Sequence, residues 1–253
     1  MSNESPLHIF GAQLVLLWRT LKAARREGIV WKEVLRHMAE LGTSSAALIF
    51  MGLFFFGVVL VTIAWAQVRK YFGNIAVIGP PYFQLILREF SPIMAAILAA
   101  SRQGASTAAE IGAMSVNEQV EALELSAADP LAELVAPRLI ASILVLPLLT
   151  TIGVIAATTS AAATVTFGFQ NNGMAFLDPS LVTKADLISV LIKTIACGAF
   201  IPIAAALRGL RAKGGAAAVG EAVTVGVVEA CMGCLVIDFV IAAAYFVIAS
   251  HSA

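Results

Sequence analysis

The chain has 253 residues, of which 60% are hydrophobic and only 13% charged, and its formal net charge at pH 7 is zero. A soluble domain of this length needs far more polar side chains to cover its surface, so the composition predicts a membrane protein. The balanced charge and the lack of a basic tract in the sequence argue against nucleic-acid binding.

The amino-terminal region, residues 1–43, mixes basic residues with apolar residues that recur at helical spacing. The apolar positions are Ile9, Phe10, Leu14, Leu17, Trp18 and Leu21. This pattern predicts an amphipathic helix that lies on the inner membrane face, and a helix packed against the membrane bundle is the alternative. The region lacks the pattern of a cleavable signal, so we expect it to stay on the mature protein.

The remainder, residues 44–253, is predicted to form one transmembrane domain with five spans. The spans lie near residues 46–66, 85–109, 139–167, 187–207 and 222–250. A helix of about 20 residues crosses the hydrocarbon core. The second candidate span carries Arg102, but the distribution of Lys and Arg along the chain supports counting it as a span. With it, the six Lys and Arg of the first 40 residues and the three of residues 208–213 all lie on the cytoplasmic side. The amino terminus is then cytoplasmic and the carboxyl terminus lies outside.

The acidic segment, residues 110–130 between the second and third spans, contains five acidic residues and no Lys or Arg. Apolar residues recur there on one face of a helix, at Val116, Val120, Leu123, Ala127 and Leu131. Glu118 and Glu121 lie on the opposite face, and Asp129 with Pro130 disrupts the pattern, because the residue before a proline avoids the α region. We predict an amphipathic cytoplasmic helix at 114–127. The pattern leaves open whether it is a solvated loop helix or a coupling helix that docks into a motor subunit.

Four of the charged residues within the predicted spans stand out, since a charge there costs about 2.5–3.5 kcal/mol unless it has a partner or a function. They are Arg88, Glu89, Lys193 and Asp238. Counting residues from the ends of each span places all four near the outer leaflet. We predict that Lys193 and Arg88 pair with Glu89 and Asp238. The cluster either lines the outer end of a lipid cavity or braces three helices, and the sequence leaves both open.

The sequence gives no sign of catalytic or metal chemistry. Cys231 and Cys234 form a C-x-x-C, but no second ligand pair is near, and we expect them and Cys197 to be inert buried thiols. The sequence has no G-x-x-x-x-G-K-[ST] loop to hold nucleotide phosphates. ATP hydrolysis, if it is used, must therefore come from a partner.

Seven short stretches occur in the order and at the spacing of one known family. They are LREFSP (87–92), ASRQGAS (100–106), AEIGAM (109–114), VNEQVEAL (116–123), DP…PR (129–138), LIKT (191–194) and IDFV (237–240). The chain resembles the MlaE/YrbE family of ABC-transporter permeases, which move lipid together with MCE-domain proteins. The resemblance covers roughly residues 45–250.

The resemblance implies a multi-pass permease subunit in a bacterial inner membrane, with its carboxyl terminus in the periplasm, that moves phospholipid or a related lipid between membranes. The expected partners are a second copy of the chain, separate ABC ATPase subunits, an MCE-domain protein on the outer side and a small accessory subunit on the ATPase. ATP and magnesium would bind the ATPase, and this chain itself is expected to bind no cofactor or metal and to be no enzyme. The implied coupling residues are Glu110, Met114, Glu118, Gln119, Glu121 and Asp129.

Two other classes of function would each leave a recognisable pattern in the sequence. A secondary transporter of an amphipathic substrate, driven by an ion gradient, would show a repeated pair of broken helices with midplane charges. A membrane-embedded enzyme would show a nucleophile with its base, or metal ligands. The sequence shows neither pattern, so the lipid permease is the leading hypothesis and the secondary transporter the alternative.

Overall fold

A computed structural model describes residues 6–71 and 78–252 of the chain, and all regular structure in that part is helical. The α-helices are α1 Pro6–Glu27, α2 Trp31–Tyr71, α3 Gly79–Leu85, α4 Ser91–Ala99, α5 Ala105–Val116, α6 Gln119–Leu125, α7 Ala136–Ala163, α8 Lys184–Leu210 and α9 Ala216–Ser252. Residues 1–5, 72–77 and 253 of the two predicted regions lie outside the described residues.

Within the described residues, five helical stretches are long and apolar enough to cross a membrane. They are Trp31–Val68, Gly79–Val116, Leu131–Gly168, Lys184–Leu210 and Ala216–Val247. The predicted all-α membrane protein with five spans is confirmed. Four of the predicted spans lie inside these stretches, and the last, 222–250, overlaps the fifth.

The first of these stretches begins earlier than the sequence pattern suggested. α2 starts at Trp31 and continues through position 43, so the predicted boundary between the amino-terminal region and the membrane domain falls inside a helix. The helix continues through this boundary because residues 31–45 contain no proline and include many strong helix formers. The helix is interrupted between α1 and α2, where Gly28 has a φ of 88° and ends α1.

α1 itself has two apolar sides. Leu16 and Ala23 are buried, and Leu16 packs in a cluster with Leu139 and Leu207. Trp18 is 62% exposed, and other large apolar side chains of α1 are exposed with it. α1 therefore packs on the bundle with one side and presents an exposed apolar stripe on another.

The second membrane stretch is one continuous helix with two wider π-helical turns, at Ile86–Phe90 and Ala100–Gly104. Pro92 explains the first. It has no N–H to donate to the carbonyl of Arg88 four residues earlier, and the ladder shifts so that the Ser91 N–H donates to Ile86 O, five residues back. The helix bulges at the residues that carry Arg88 and Glu89.

Small residues let the membrane helices pack closely. A Cβ on Gly57 of α2 would lie 2.5 Å from Ala157 O of α7, and one on Gly209 of α8 would lie 3.1 Å from Ala108 O of α5. Such contacts are possible only where a side chain is absent. The same packing fixes the relative heights of the helices that carry the polar residues.

Successive membrane helices run in opposite directions, which sorts the polar residues to two ends. At one end, the cluster end, Arg88 of the second stretch meets Asp186 at the start of α8. At the other, the acidic end, Ser115 Oγ at the end of α5 donates to Leu210 O and Ala212 O at the end of α8. The acidic segment lies at that second end.

Candidate functional sites

Lys193 is the centre of a polar cluster at the cluster end. Its side chain, on α8, is fully buried. The Nζ atom lies 2.5 Å from Glu89 Oε2 on the second stretch and 3.2 Å from Asp238 Oδ1 on α9. It also donates a hydrogen bond to Arg88 O at 3.2 Å. This is the carbonyl that Pro92 leaves without a helical partner, so the proline creates an acceptor for the lysine.

Arg88 is held on both its edge and its face. Its Nε atom lies 2.9 Å from Glu89 Oε1, and its Nη1 atom lies 3.4 Å from Asp186 Oδ1. The guanidinium carbon lies 5.0 Å from the ring centroid of Tyr245 and 5.2 Å from that of Phe246, within the range of cation–π attraction. Arg88 thereby joins the second stretch to both α8 and α9.

Asp186 belongs to this cluster and was missed in the sequence. It is fully buried and accepts hydrogen bonds from Gln84 Nε2 at 2.9 Å and from the Tyr245 hydroxyl at 2.8 Å. Together with Thr183 it also forms a capping box at the start of α8. The T-x-x-D spacing just before the fourth predicted span identifies Asp186 as a helix cap, although not as a member of the polar cluster.

The structure brings the four sequence-predicted charges together, with one change of partner. Lys193 contacts both Glu89 and Asp238, whereas Arg88 pairs with Glu89 and Asp186 instead of Asp238. The polar cluster therefore has five charged members, two cationic and three anionic. The contact between Lys193 and Asp238 is an ion pair without the alignment of a hydrogen bond.

An apolar crevice of about 370 Å³ opens beside the polar cluster, between α8 and α9. Its walls include Ile188, Ile192, Val240, Ile241 and Tyr245. Tyr245 belongs to both places, because its ring lines the crevice and its hydroxyl donates to Asp186. The arrangement places a surface suited to a hydrocarbon chain next to fixed charges.

The acidic segment is not one helix over 114–127 as predicted. α5 ends at Val116, and Asn117 and Glu118 form a turn in which Glu118 has a φ of 58°. Only then does α6 run from Gln119 to Leu125. Asn117 is a poor interior residue, because its amide competes with the backbone for hydrogen bonds, and it favours a helix end.

A Schellman turn ends α6. Ala127 has a φ of 62°, its N–H donates to Glu124 O, and the Ala128 N–H donates to Leu123 O at 3.1 Å. Asp129 then begins the return to the membrane, with its Oδ1 accepting from Leu131 N at 2.9 Å and its own N–H donating to Glu27 Oε2 of α1 at 3.3 Å. The segment is thus a short protruding helix between two left-handed turns.

The six implied coupling residues divide into two groups. Glu118, Gln119 and Glu121 are exposed at the protruding end. Glu110, Met114 and Asp129 lie in its base, where Glu110 Oε2 is 2.6 Å from Arg138 Nη2. α6 has no buried residue, and the apolar Leu125 is 90% exposed. This helix offers a mixed acidic and apolar surface that the rest of the described chain leaves uncovered.

The described residues also bear on two other kinds of site, a metal site and a disulfide. Within residues 6–71 and 78–252, no three His, Cys, Asp or Glu side chains are grouped to hold a metal ion. The cysteines at positions 197, 231 and 234 are free thiols.

Comparison with known proteins points to one family. The model of the family described as Permease MlaE matches residues 34–244. The chloroplastic protein Trigalactosyldiacylglycerol 1 of Arabidopsis thaliana is 32% identical over 242 residues, which are 94% of this chain and 67% of that protein. A probable ABC transporter permease protein of Synechocystis is 32% identical over 82% of this chain and 80% of its own length. A probable ABC transporter permease protein of Rickettsia prowazekii is 32% identical over 84% of this chain and 83% of its own length.

Proposed function

This chain belongs to the MlaE permease family, and on that premise we propose that it forms the membrane path of an ABC transporter that moves lipid between membranes. The family resemblance found in the sequence motifs is confirmed. As a permease subunit the chain is not itself an enzyme. Energy for transport comes from a separate ATPase subunit that binds ATP and magnesium.

The transported molecule is phospholipid or a related lipid. The name of the Arabidopsis relative includes that of a lipid, trigalactosyldiacylglycerol. In this chain the polar cluster and the apolar crevice meet at Tyr245. A charged site next to an apolar crevice matches the polar headgroup and the acyl chains of a lipid. The headgroup contacts Arg88, Glu89 or Asp238, which are partly exposed and surround the buried Lys193, and an acyl chain occupies the crevice.

The ATPase docks on α6, and the exposure of that helix is the observation that carries the proposal. Glu118, Gln119 and Glu121 face solvent, and Leu125 is 90% exposed. An isolated helix of seven residues is too short to be stable in water by itself. A docked partner that covers Leu125 and pairs with the acids would stabilise α6 and transmit its own movement to α5 and α7.

Docking of the ATPase places the acidic end in the cytosol. The amino terminus is then cytosolic and the carboxyl terminus periplasmic, in a bacterial inner membrane. The exposed apolar stripe of α1, which includes Trp18, lies in the cytosolic leaflet. A second copy of the chain completes the path, an MCE-domain protein receives or delivers lipid at the cluster end, and a small accessory subunit sits on the ATPase.

Co-purification with the ATPase tests the docking surface. We expect the wild-type chain to retain an ABC ATPase in mild detergent, and Glu118→Lys with Glu121→Lys to release it, because the charge of the docking surface reverses. The matched control, Glu33→Lys with Glu133→Lys, reverses two acids outside the tip of α6 and should retain the ATPase. Equal retention by all three proteins would contradict docking on α6.

A further inference from the structure

A second polar site lies at the acidic end, well apart from the polar cluster. A cleft of about 370 Å³ opens between α2 and the second membrane stretch, with α7 beside it. Its charged lining comes from all three, namely His37, Glu40, Arg102, Glu110 and Arg138. We refer to it as the inner cleft. Its volume is within the range of pockets that hold small ligands.

The acids of the inner cleft already have basic neighbours. Glu110 Oε2 lies 2.6 Å from Arg138 Nη2, and Arg138 Nη1 also donates to Leu134 O at 2.6 Å. Glu40 Oε2 lies 3.8 Å from His37 Nδ1. These contacts fix Arg138, which is 8% exposed, as a wall of the cleft.

Arg102 is the exception among the charges of the inner cleft. Among the described residues it lies within ion-pair distance of no carboxylate, and its guanidinium makes no hydrogen bond. The neighbouring Gln103 is anchored, because its Oε1 accepts from Ser142 Oγ of α7 at 2.9 Å in the core. Both residues belong to the π-helical turn Ala100–Gly104 and both line the cleft, with Gln103 buried at its wall and Arg102 exposed in it.

Arg102 lies inside the second stretch and not at its end. It precedes Glu110 by eight residues on the same helix, or about 12 Å at 1.5 Å per residue, and falls within the predicted span 85–109. A charged residue within a span usually has a partner or a function. The Arg102 side chain is exposed in the open cleft, so an anion that enters the cleft can reach it.

We propose that the inner cleft binds the phosphate group of a phospholipid from the cytosolic leaflet, and that Arg102 is the residue that contacts the phosphate. This inference rests on the proposed function for its orientation and names the substrate class at this end of the path. The planar guanidinium presents paired N–H donors that match phosphate oxygens. Ser106 lies one helical turn from Arg102 on the same face and lines the cleft, where the headgroup would pass it.

Photo-cross-linking at the cleft tests this site. The full chain with Ser106→p-benzoylphenylalanine is purified in maltoside detergent and irradiated with dihexanoylphosphatidylcholine or with dihexanoylglycerol, which lacks the phosphate. Intact-mass spectrometry then measures the lipid adduct. We expect an adduct with the phospholipid and little with the diacylglycerol. Equal yields would overturn the proposal.

Matched variants assign the adduct to Arg102. Arg102→Gln should lower the yield about tenfold, because a charge-assisted hydrogen bond is lost. Arg36→Gln removes the same charge from an exposed arginine of α2 outside the cleft and should leave the yield unchanged. Arg102→Lys keeps the positive charge and loses the paired N–H donors of the guanidinium group. It should also lower the yield, and it serves as a second variant in case Arg102→Gln misfolds. An unchanged yield in both Arg102 variants would overturn the proposal.

Two further outcomes are distinguishable. Inorganic phosphate at the concentration of the lipid should compete weakly, and complete suppression of the adduct would make the cleft a site for free phosphate instead. The cross-link needs no ATPase. Loss of ATPase docking with an intact adduct would therefore count against the proposed function alone, and docking without an adduct would count against the inner cleft alone.

Discussion

At the scale of single residues, Pro92 links the backbone of the second membrane stretch to the chemistry of the polar cluster. It cannot donate to Arg88 O, and Lys193 Nζ fills that vacancy from α8 at 3.2 Å. The same lysine contacts carboxylates from the second stretch and from α9. One buried ammonium group therefore holds three spans together at the height where a lipid headgroup would pass.

Removal of that ammonium group should destabilise the chain. Lys193→Met leaves Glu89 and Asp238 next to each other without their shared cation, and we expect a loss of about 3 kcal/mol in the free energy of unfolding. Lys184→Met, at the exposed start of the same helix, should change stability by less than about 0.5 kcal/mol. Thermal unfolding of both variants in detergent measures the difference. Similar stabilities would show that the cluster does not brace the helices.

Most of the polar cluster could be predicted from the sequence, because hydrocarbon penalises every unpartnered charge and the depth of a residue follows from its position in a span. Asp186 was missed for a physical reason. It lies at the very start of α8, where a carboxylate is normal as a cap, and nothing in the linear pattern tells that Arg88 and Tyr245 reach it. The sequence shows that Arg102 is a charge within a span. Its position in a cleft could not be predicted, because the cleft forms only where α2 and the second stretch come together.

At the scale of elements, the acidic segment owes its shape to two left-handed residues. Glu118 ends the path of α5 and Ala127 ends α6, and neither is glycine. A residue with a Cβ costs about 1–2 kcal/mol in this conformation. The chain thus holds α6 away from the bundle at some cost in free energy, which fits a helix that has to meet a partner.

A glycine at the second of these turns should make α6 more rigid. Ala127→Gly removes the clash of the Cβ, and we expect the Ala128 amide, which donates to Leu123 O, to exchange its hydrogen about fivefold more slowly. Ala122→Gly, inside α6, should speed the exchange by a similar factor, because glycine disfavours a helix interior. Hydrogen exchange of the purified chain measures both. Faster exchange in Ala127→Gly would contradict the left-handed turn.

The membrane spans were predictable from long runs of apolar residues, and the acidic helix from its periodic face. Val116, Val120 and Leu123 are indeed half-buried, as that face requires, whereas Ala127 is exposed. The break at Asn117 was not predicted. Periodicity continues across a turn when the two helices happen to share a face, so the pattern of apolar residues cannot distinguish one bent segment from two helices.

At the scale of the whole molecule, the alternating direction of the five spans separates three surfaces. The polar cluster and apolar crevice lie at one end, α6 projects from the other, and the inner cleft opens near α6 between α2 and the second stretch. The second stretch contributes to all three, because its π-helical turns carry Arg88 and Arg102 and its last helix leads to α6. A movement of α6 under a docked ATPase would reach both polar sites along that one stretch.

Lipid movement in proteoliposomes is the measurement that tests this account most directly. The chain is reconstituted with its co-purified ATPase, and movement of a fluorescent phospholipid is followed with and without ATP. We predict movement that requires ATP and that is abolished by Glu118→Lys with Glu121→Lys. Movement that a proton or sodium gradient drives without the ATPase, or that the double variant leaves unchanged, would contradict it.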